Sequence, residues 1–391
     1  MTVPRELAFD VSEYRSRLAA VRRQMEDRGL EALVLFGPQN VCYVSGLDND
    51  NLSDIQCMVV PLDRDPVLVL FWFEAGRAEN TCWLEDVVLY RADEDPLEVV
   101  AGVVRRLGVA GGRIGVERPT VGLTVNQFQR LVSHLPDATV EDSFPSVEIP
   151  RRVKSPAEIG YMRRAAALTD RAVDAACAAI EVGIRDYELA AVITNVIYGE
   201  GGETTCLGPI VASGYRSGAP HSSFSGKRVE AGEAVFLEFT AQVRRYTAPI
   251  MRTVFMGRPS AEIERIAEAG ANAVATIIDT ARPGLPAREV ARAAHAVLEP
   301  ILDRVMFHNS YGYPIGLGFP PTWSEALGFY LWASNDQPLE AGMTFHLPIS
   351  LRRFGEWGIN QSHSLLITET GAESLTRSEA RLLVLDRVGT A

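Results

Sequence analysis

The stretch from residue 209 to residue 238 carries the signals that decide the fold. It reads Pro209-Ile-Val-Ala-Ser-Gly214, then Pro220-His221, then Val229-Glu-Ala-Gly232, and then the apolar run Ala234-Val-Phe-Leu237, which Glu238 interrupts. Short apolar runs next to Gly and Pro are typical of buried strands, so we predict strands at Pro209–Ala212 and Ala234–Thr240. The loop between them carries His221, and the second strand carries one carboxylate.

The remainder of the chain predicts two domains. Before residue 150, helices at residues 11–29 and Leu97–Leu107 are interleaved with strands, which is typical of an α/β domain. These strands are predicted at Ala32–Phe36, Cys57–Leu62, Val67–Trp72, Val87–Tyr90 and Arg113–Val116. Ser155-Pro156 with Glu158 then predicts a helix start, with Ser as the N-cap and Pro in the first turn. We therefore predict one domain at residues 1–150 and a second at residues 151–391.

Further elements are predicted in the second domain. Helices are expected up to about residue 180, from Asp186 onward, at residues 259–281 and at residues 287–304. Strands are expected near Met343–Leu347 and Ser364–Thr368.

The composition indicates an acidic globular protein. Lys and Arg total 38 while Asp and Glu total 50, so the formal net charge is −12. Such a chain repels phosphate backbones and anionic lipids, and no apolar stretch reaches the length of a membrane span. We predict no nucleic-acid partner and no membrane contact. The five cysteines include no C-x-x-C pair, which favours a reducing compartment and predicts a cytoplasmic location.

More landmarks follow in order along the second half of the chain. They are Arg252-Thr253, Gly312-Tyr-Pro-Ile-Gly316, Gly342-Met-Thr-Phe345 and Thr368-Glu-Thr-Gly371. With the stretch quoted above, they resemble the pita-bread-fold family of methionine aminopeptidase, prolidase, aminopeptidase P and creatinase. The resemblance covers most of residues 150–380. It implies a C-terminal pita-bread (α+β) domain after a small creatinase-like α/β domain. It also implies a homodimer in which the N-terminal domain of one subunit lies near the site of the other.

The metal-dependent members of that family hold two cations with two Asp, one His and two Glu. The resemblance implies that the first Asp falls on Glu238, the second on Pro249 and the His on Tyr313. The first Glu has no equivalent in Thr344-Phe-His-Leu-Pro348, and the last falls within Asn360-Gln-Ser-His363. A dinuclear cation site needs several anionic oxygens. We therefore predict no metal and no other cofactor, and we expect no metallopeptidase activity.

A more specific resemblance is to the ectoine hydrolase-like members of the family, which are described as metal-free. It rests on Arg245-Tyr-Thr-Ala-Pro-Ile-Met-Arg-Thr253, Ile315-Gly-Leu-Gly-Phe-Pro-Pro-Thr-Trp323 and Met343-Thr-Phe-His346. The match breaks at Trp357-Gly-Ile-Asn-Gln-Ser-His363, where those members have glutamate after Trp-Gly. An amide or an imidazole takes the place of that carboxylate.

Four side chains are candidate catalytic groups. His221 lies in a loop, and an imidazole suits proton transfer at neutral pH; a surface histidine is the alternative. Burial of Glu238 would raise its pKa and make it a general acid or base; a structural salt bridge with Arg245 or Arg252 is the alternative. Tyr313 takes the place of a metal ligand and His363 lies among the family's last carboxylates, while core packing is the alternative for both.

Seven more residues are candidate substrate-binding residues because of their positions in the resemblance. They are His346, Gln361, Trp323, Trp357, Arg252, Asp54 and Leu52. The two tryptophans could form an apolar wall for a small ring. Leu52 and Asp54 lie where creatinase reaches into the pocket of its partner subunit. Core packing and a solvated polar loop are the alternatives.

These residues predict a metal-independent hydrolase that acts on a C–N bond of a small polar molecule. A cyclic amidine such as ectoine, or a guanidino or amide relative, is the expected substrate. Water activated by Glu238 or His221 would attack the carbon, and the other group would protonate the departing nitrogen. Two alternatives stay open: a lyase or cyclase acting on a small amino-acid derivative, and a binding module that has lost catalysis.

Overall fold

The first of two units, which ends at Arg151, is built on a six-stranded sheet. The structure is a computed structural model that describes residues 4–118 and 120–386. The strands of the unit are β1 (Ala32–Leu35), β2 (Cys57–Pro61), β3 (Val67–Phe71), β4 (Val87–Tyr90), β5 (Arg113–Val116) and β6 (Thr139–Asp142). Their order is β4-β3-β2-β1-β5-β6, and β1 pairs parallel with β5 but antiparallel with β2. This mixed sheet with helices confirms the predicted α/β class.

The helices of this unit are α1 (Val11–Arg28), α2 (Pro38–Ser45), α3 (Ala75–Thr81), α4 (Pro96–Arg106), α5 (Val125–Ser133) and α6 (Glu148–Arg152). The apolar face of α4 packs onto β2 and β3 because Leu97, Val100 and Val104 recur at helical spacing and are buried. The predicted strands and the helices α1 and α4 are confirmed. Helix α2 was not predicted; Pro38 fits its first turn, and Gly46 ends it with a φ of 81°.

The second unit, which begins at Arg152, combines four helices with thirteen strands among its described residues. The helices are α7 (Pro156–Ala179), α8 (Asp186–Gly199), α9 (Ala261–Thr280) and α10 (Ala287–Leu298). The strands are β7 (Ile210–Ser213), β8 (Ala234–Phe239), β9 (Gln242–Val243), β10 (Tyr246–Thr247), β11 (Ile250–Met256), β12 (Tyr313–Phe319), β13 (Thr322–Ser324), β14 (Thr344–His346), β15 (Ile349–Arg353), β16 (Trp357–Gln361), β17 (Ser364–Ile367), β18 (Ala372–Ser374) and β19 (Leu383–Leu385).

These strands form three sheets. The longest has the order β18-β17-β14-β12-β10-β9, with β13 paired to β12. A second has the order β19-β11-β8-β7, and β15 pairs with β16. Strand β16 contacts both β8 and β11, so the pair β15-β16 lies against the second sheet. On the other side, α9 and α10 bury an apolar stripe that includes Ile266, Val274 and Ala291.

Local sequence signals explain most of these boundaries. Ser155 and Glu158 form the predicted capping box of α7, since the Ser155 hydroxyl accepts from the Glu158 amide at 3.3 Å and the Glu158 carboxylate accepts from the Ser155 amide at 2.8 Å. The prediction of a helix over residues 287–304 is wrong after Leu298. Helix α10 ends there and gives way to a single 3₁₀ turn that contains Pro300, which has no amide proton for an α-helical hydrogen bond.

A buried ion pair ties the start of the second unit to its longest sheet. Lys154 Nζ lies 2.7 Å from Glu325 Oε2, and both side chains are 1% exposed. The other carboxylate oxygen of Glu325 accepts from the Leu317 amide at 3.3 Å.

Lys154→Met tests how much this pair matters. Removing the cation leaves a buried carboxylate without its charge partner, so we expect the free energy of unfolding in urea to fall by about 3–5 kcal/mol. The control is Arg163→Met, which removes an exposed pair with Glu373 and should cost less than about 1 kcal/mol. Equal losses in the two variants would contradict this prediction.

Candidate functional site

Glu238 is the centre of the candidate site because its buried carboxyl group makes no hydrogen bond or ion pair with the residues that the structure describes. It lies on β8 and pairs across the sheet with Ile210 of β7 and Met251 of β11. Its side chain is 3% exposed, and within residues 4–118 and 120–386 it makes neither a hydrogen bond nor an ion pair. Burial raises the pKa of Glu238 to about 7, although the charge of Arg352 opposes the shift. A carboxyl group with this pKa can give or take a proton near neutral pH.

Arg352 is the cation that faces Glu238. Its guanidinium lies 4.6 Å from the centre of the Phe236 ring, and Phe236 and Glu238 share one face of β8. Arg352 Nε donates to Ser350 Oγ at 2.7 Å and Nη1 donates to the Ser217 carbonyl at 2.6 Å. Burial lowers the pKa of Arg352 to about 10 despite the charge of Glu238. The guanidinium is thus held in place and charged at neutral pH, beside the carboxyl group.

The arginines considered as salt-bridge partners for Glu238 lie elsewhere. Arg252 is on β11 opposite Leu237, so its side chain leaves the sheet on the face away from Glu238. Its Nη1 donates to the Met251 and Ser362 carbonyls, each at 2.6 Å, and its Nε donates to Ser378 Oγ at 3.1 Å. Arg245 stacks on the Phe319 ring at 4.7 Å. The predicted substrate-binding role of Arg252 stays a prediction, and its contacts are those of a buried cross-link.

Tyr313 and His346 form the polar wall of the site. They are opposite each other on β12 and β14, and the Tyr313 hydroxyl lies 2.6 Å from His346 Nδ1. Trp323 Nε1 donates to the same hydroxyl at 2.7 Å. The other ring nitrogen of His346 lies 2.7 Å from Ser362 Oγ, which accepts from the Met251 amide at 2.6 Å. The structure therefore brings three of the predicted residues, Tyr313, His346 and Trp323, into one network.

Electrostatics fix the charge state of this wall. His346 is fully buried, and burial with the nearby charge of Arg252 lowers its pKa to about 3. Burial and the neighbouring Glu238 carboxyl raise the pKa of Tyr313 well above its ordinary value. Both groups are neutral at physiological pH, so this wall supplies dipoles rather than charge.

His221 lies at the edge of an open groove beside the site. Its backbone has a φ of 54°, a conformation that few residues other than Gly adopt. The groove has a volume of about 820 Å³ and is lined by residues that include Tyr187, Ile210, Phe224 and Thr322. Ile210 is the direct cross-strand neighbour of Glu238, whereas the Glu238 side chain is buried and does not line the groove. His221 is exposed, and its imidazole is close enough to that of His308 for the two to interact electrostatically.

The side chains of the predicted residues Trp357, Gln361 and His363 contact different parts of the second unit. His363 Nδ1 lies 2.8 Å from Thr376 Oγ1, and burial and Arg252 lower the pKa of His363 to about 3. Gln361 is buried beside Gly270 of α9, and its amide makes no hydrogen bond with any residue that the structure describes. Trp357 lies under the guanidinium of Arg353 at 4.8 Å. Their predicted roles stay predictions.

The two predicted residues of the first unit are described within that unit only. Asp54 Oδ2 accepts from Asn51 Nδ2 at 3.0 Å, and Leu52 is partly exposed in the same segment. Asn51 also donates to Glu74 at 2.9 Å. This polar segment agrees with the solvated-loop alternative as well as with a binding role.

Sequence reasoning missed three residues that the structure places at or near the site: Arg352, Ser362 and His308. Arg352 lies on β15, whose sequence Ile-Ser-Leu-Arg-Arg mixes polar and apolar residues, so no local signal marks Arg352 as a site residue. Ser362 carries no signal of its own. The helical or edge contexts of His134, His295 and His308 in the sequence predict structural roles for all three. His134 and His295 bond Asp95 at 3.0 Å and Tyr311 at 2.7 Å respectively, whereas His308 lies within electrostatic range of Arg352.

Fold and site together define a two-domain hydrolase class. Residues 17–153 match the creatinase/prolidase N-terminal domain, and residues 160–369 match metallopeptidase family M24. The chain belongs to metallopeptidase family M24 and has its pita-bread fold after the creatinase-type N-terminal domain. This confirms the family resemblance and the fold class expected from the motifs.

Three individual similarities describe its place in the family. The chain is 31% identical to an ectoine hydrolase from Halomonas elongata, over 97% of this chain and 98% of that protein. It is 26% identical to a Xaa-Pro dipeptidase from Pyrococcus furiosus, over 94% of this chain and all of that protein. It superposes on the crystal structure of the dipeptidase PepE from Mycobacterium ulcerans with a TM-score of 0.83 at 25% identity, over 97% of this chain and 99% of that one. These relatives are hydrolases.

The residues at the site do not fit the pair of cations that the family name implies. Glu238 is the one carboxylate at the expected positions, Pro249 has no side-chain donor, and both nitrogens of His346 are already hydrogen-bonded. In the part of the chain that the structure describes, no three His, Cys, Asp or Glu side chains form a group that could hold a metal ion. No helix among those residues is long and apolar enough to cross a membrane.

The raised pKa of Glu238 predicts a pH-dependent stability difference. Between its ordinary pKa of 4.5 and its folded-state value of about 7, the folded protein holds a proton that the unfolded chain releases. The free energy of unfolding therefore falls as the pH rises through this window, by at most about 3 kcal/mol. Glu238→Gln removes that fall, so the variant should gain stability over the native protein between about pH 5 and pH 8.

Urea unfolding of both proteins at about pH 5 and about pH 8 measures this gain in stability. Glu268→Gln, on the exposed face of α9, is the control and should follow the native protein at both. Burial also raises the pKa of Glu117 to about 7, but Glu117 is present in all three proteins and cancels. A constant difference between Glu238→Gln and the native protein across the two pH values would overturn the prediction.

Proposed function

We propose that this chain is a metal-independent hydrolase that cleaves a C–N bond in a small polar compound. A cyclic amidine such as ectoine is the first candidate substrate, and guanidino and amide compounds are the related ones. The observation that carries the proposal is the Glu238 carboxyl group, which is buried, lacks a protein hydrogen bond among the described residues and has a pKa of about 7. Such a group is prepared to exchange protons with a substrate and a water molecule.

The donor set supports a reaction without metal. In place of several carboxylates, the site offers one carboxyl group, one buried arginine and a neutral hydrogen-bonded wall of Tyr313 and His346. The similarity to the ectoine hydrolase of Halomonas elongata spans 97% of the chain and supports a non-peptide substrate. The similarity to Xaa-Pro dipeptidases makes a dipeptide the rival substrate.

The chemistry follows from the positions of the groups. Glu238 as a carboxylate takes a proton from water while the water oxygen bonds to the amidine carbon. The tetrahedral carbon that forms carries a new hydroxyl group, to which Tyr313 donates a hydrogen bond. The substrate reacts as the amidinium cation, so both ring nitrogens are neutral after the addition. Glu238 returns its proton to the departing ring nitrogen, the C–N bond breaks as the hydroxyl oxygen becomes the carbonyl, and the hydroxyl proton passes to Glu238 and then to the released amine. The product is an open-chain amide with an ammonium group, and Glu238 is again a carboxylate. His221, at the edge of the groove, is the second candidate for the proton transfer to nitrogen.

A substrate panel tests the proposal and its rival. Ectoine, creatine, a simple amide and an Ala-Pro dipeptide are incubated with the protein, once with EDTA and once with added Mn²⁺. We expect turnover of an amidine or guanidino compound that EDTA leaves unchanged. Cleavage of Ala-Pro that requires Mn²⁺ would overturn the proposal and favour the dipeptidase.

Glu238→Gln is the decisive variant for the active compound. Loss of the proton-transfer group should lower kcat by about 10²–10⁴-fold. For the native protein, kcat/KM should rise with pH through about pH 7, since the base is the carboxylate and the pKa of Glu238 is about 7.

The same kinetics include two controls. Glu268→Gln should retain both the rate and the pH profile of the native protein. His221→Ala separates the two candidate groups: a fall in kcat comparable with that of Glu238→Gln would support His221 as the proton donor, and unchanged kcat would leave that role to Glu238. Unchanged kcat in Glu238→Gln would remove Glu238 from the mechanism.

A further inference from the structure

The network on the polar wall has an odd number of mobile protons. Trp323 Nε1 donates to the Tyr313 hydroxyl at 2.7 Å, and the Met251 amide donates to Ser362 Oγ at 2.6 Å. Neither donor can reverse, because an indole N–H and an amide N–H are donors only. His346 lies between the two hydroxyl groups, 2.6 Å from one and 2.7 Å from the other.

A neutral imidazole has one N–H group and one acceptor nitrogen, so only two arrangements are possible. In the first, Ser362 donates to Nε2 and Nδ1–H donates to Tyr313, whose own hydroxyl proton is then directed away from the network. In the second, Tyr313 donates to Nδ1 and Nε2–H donates to Ser362, whose hydroxyl proton is then directed away. Each arrangement leaves one hydroxyl proton that needs an acceptor elsewhere.

The surroundings of the two hydroxyl groups differ. Ser362 is 0% exposed, and the described residues offer its hydroxyl no acceptor besides His346. In the second arrangement the Ser362 proton would be buried without a partner, which is costly. Tyr313 is partly exposed and lies within electrostatic range of Glu238, so its hydroxyl proton can be donated to water or to a bound substrate.

We infer that Ser362 and His346 are positioning residues that hold Tyr313 as an obligate hydrogen-bond donor to the substrate. With Trp323 and His346 both donating to its oxygen, Tyr313 has no lone pair left for a substrate N–H group. The substrate therefore presents an acceptor, a carboxylate or a developing oxyanion, to Tyr313. The N–H groups of an amidine must then face Glu238. The kind of substrate in this inference rests on the proposed function, whereas the hydrogen-bond network does not.

The tautomer of His346 tests the network in the resting protein. Nitrogen-15 NMR of histidine-labelled protein distinguishes a protonated from an unprotonated ring nitrogen, and His346→Gln assigns the resonances. We expect Nδ1 protonated and Nε2 unprotonated in the native protein at neutral pH. Protonated Nε2 would overturn the inference whether or not a substrate is ever found.

Two serine variants separate positioning from folding. Ser362→Ala removes the donor to Nε2, so we expect a mixture of tautomers in place of a single one, while Ser362→Thr restores the native signal. The matched control is Ser364→Ala. Ser364 is the cross-strand neighbour of His346 and is equally buried, but its hydroxyl donates to the Pro249 carbonyl at 2.9 Å and not to the imidazole. This control variant should keep the native tautomer. A single native tautomer in Ser362→Ala would also overturn the inference.

Kinetics on the active compound then measure the consequence. Ser362→Ala should lower kcat/KM about ten- to a hundredfold, since a buried hydrogen bond to the network is lost, and Ser362→Thr should recover most of that loss. The acid limb of the pH profile should stay in place, because it belongs to Glu238. If no compound of the panel is turned over while Nδ1 is protonated as expected, the proposed function fails and the inference on Tyr313 stands.

Discussion

The candidate site depends on the carboxyl group of Glu238, which is buried and has no hydrogen bond or ion pair among the described residues. A carboxylate inside an apolar strand is unfavourable unless it is neutralised or paired. Here Arg352 approaches it from β15, while the remaining neighbours are neutral dipoles. The cost of ionisation is therefore only partly offset, and the pKa stays near neutrality. A full salt bridge would have stabilised the carboxylate and lowered its pKa, so that it could not exchange protons near neutral pH.

The strand pairing explains how the other groups reach this carboxyl group. Strands β8, β11 and β7 hold Glu238 between Met251 and Ile210. Strand β16 lies against this sheet and brings its partner β15, with Arg352, to the same face. The longest sheet supplies Tyr313 and His346 as opposite residues of β12 and β14. The site is thus made where three sheets meet, and each contributes a different kind of group.

Sequence patterns predicted the fold well and the site in part. Caps, apolar runs and ordered motifs are local signals, and they identified α7, β8 and the family. Glu238 was identified because it interrupts an apolar run, and Tyr313 and His346 because of their positions in the family resemblance. Arg352 and Ser362 depend on which strands become neighbours, and β15 and β16 have Arg, Asn and Gln among their apolar residues, so they were not predicted as strands. The direction of a side chain such as Gln361 follows from that pairing and could not be read from its position in a motif.

The comparison with a two-cation site shows what this arrangement replaces. Metal ions activate water and stabilise negative charge through their own charge. In this chain the corresponding wall is a line of neutral donors and acceptors that begins at Trp323, passes through Tyr313 and His346, and ends at Ser362. Preorganised dipoles in a dry site stabilise developing charge without reorganising. Each member of this line determines where the proton of the next member lies. A substitution at one end of the network, such as Ser362, therefore alters the hydrogen-bonding role of Tyr313, with which it has no direct contact in the network. A site built from independent metal ligands would not show this coupling.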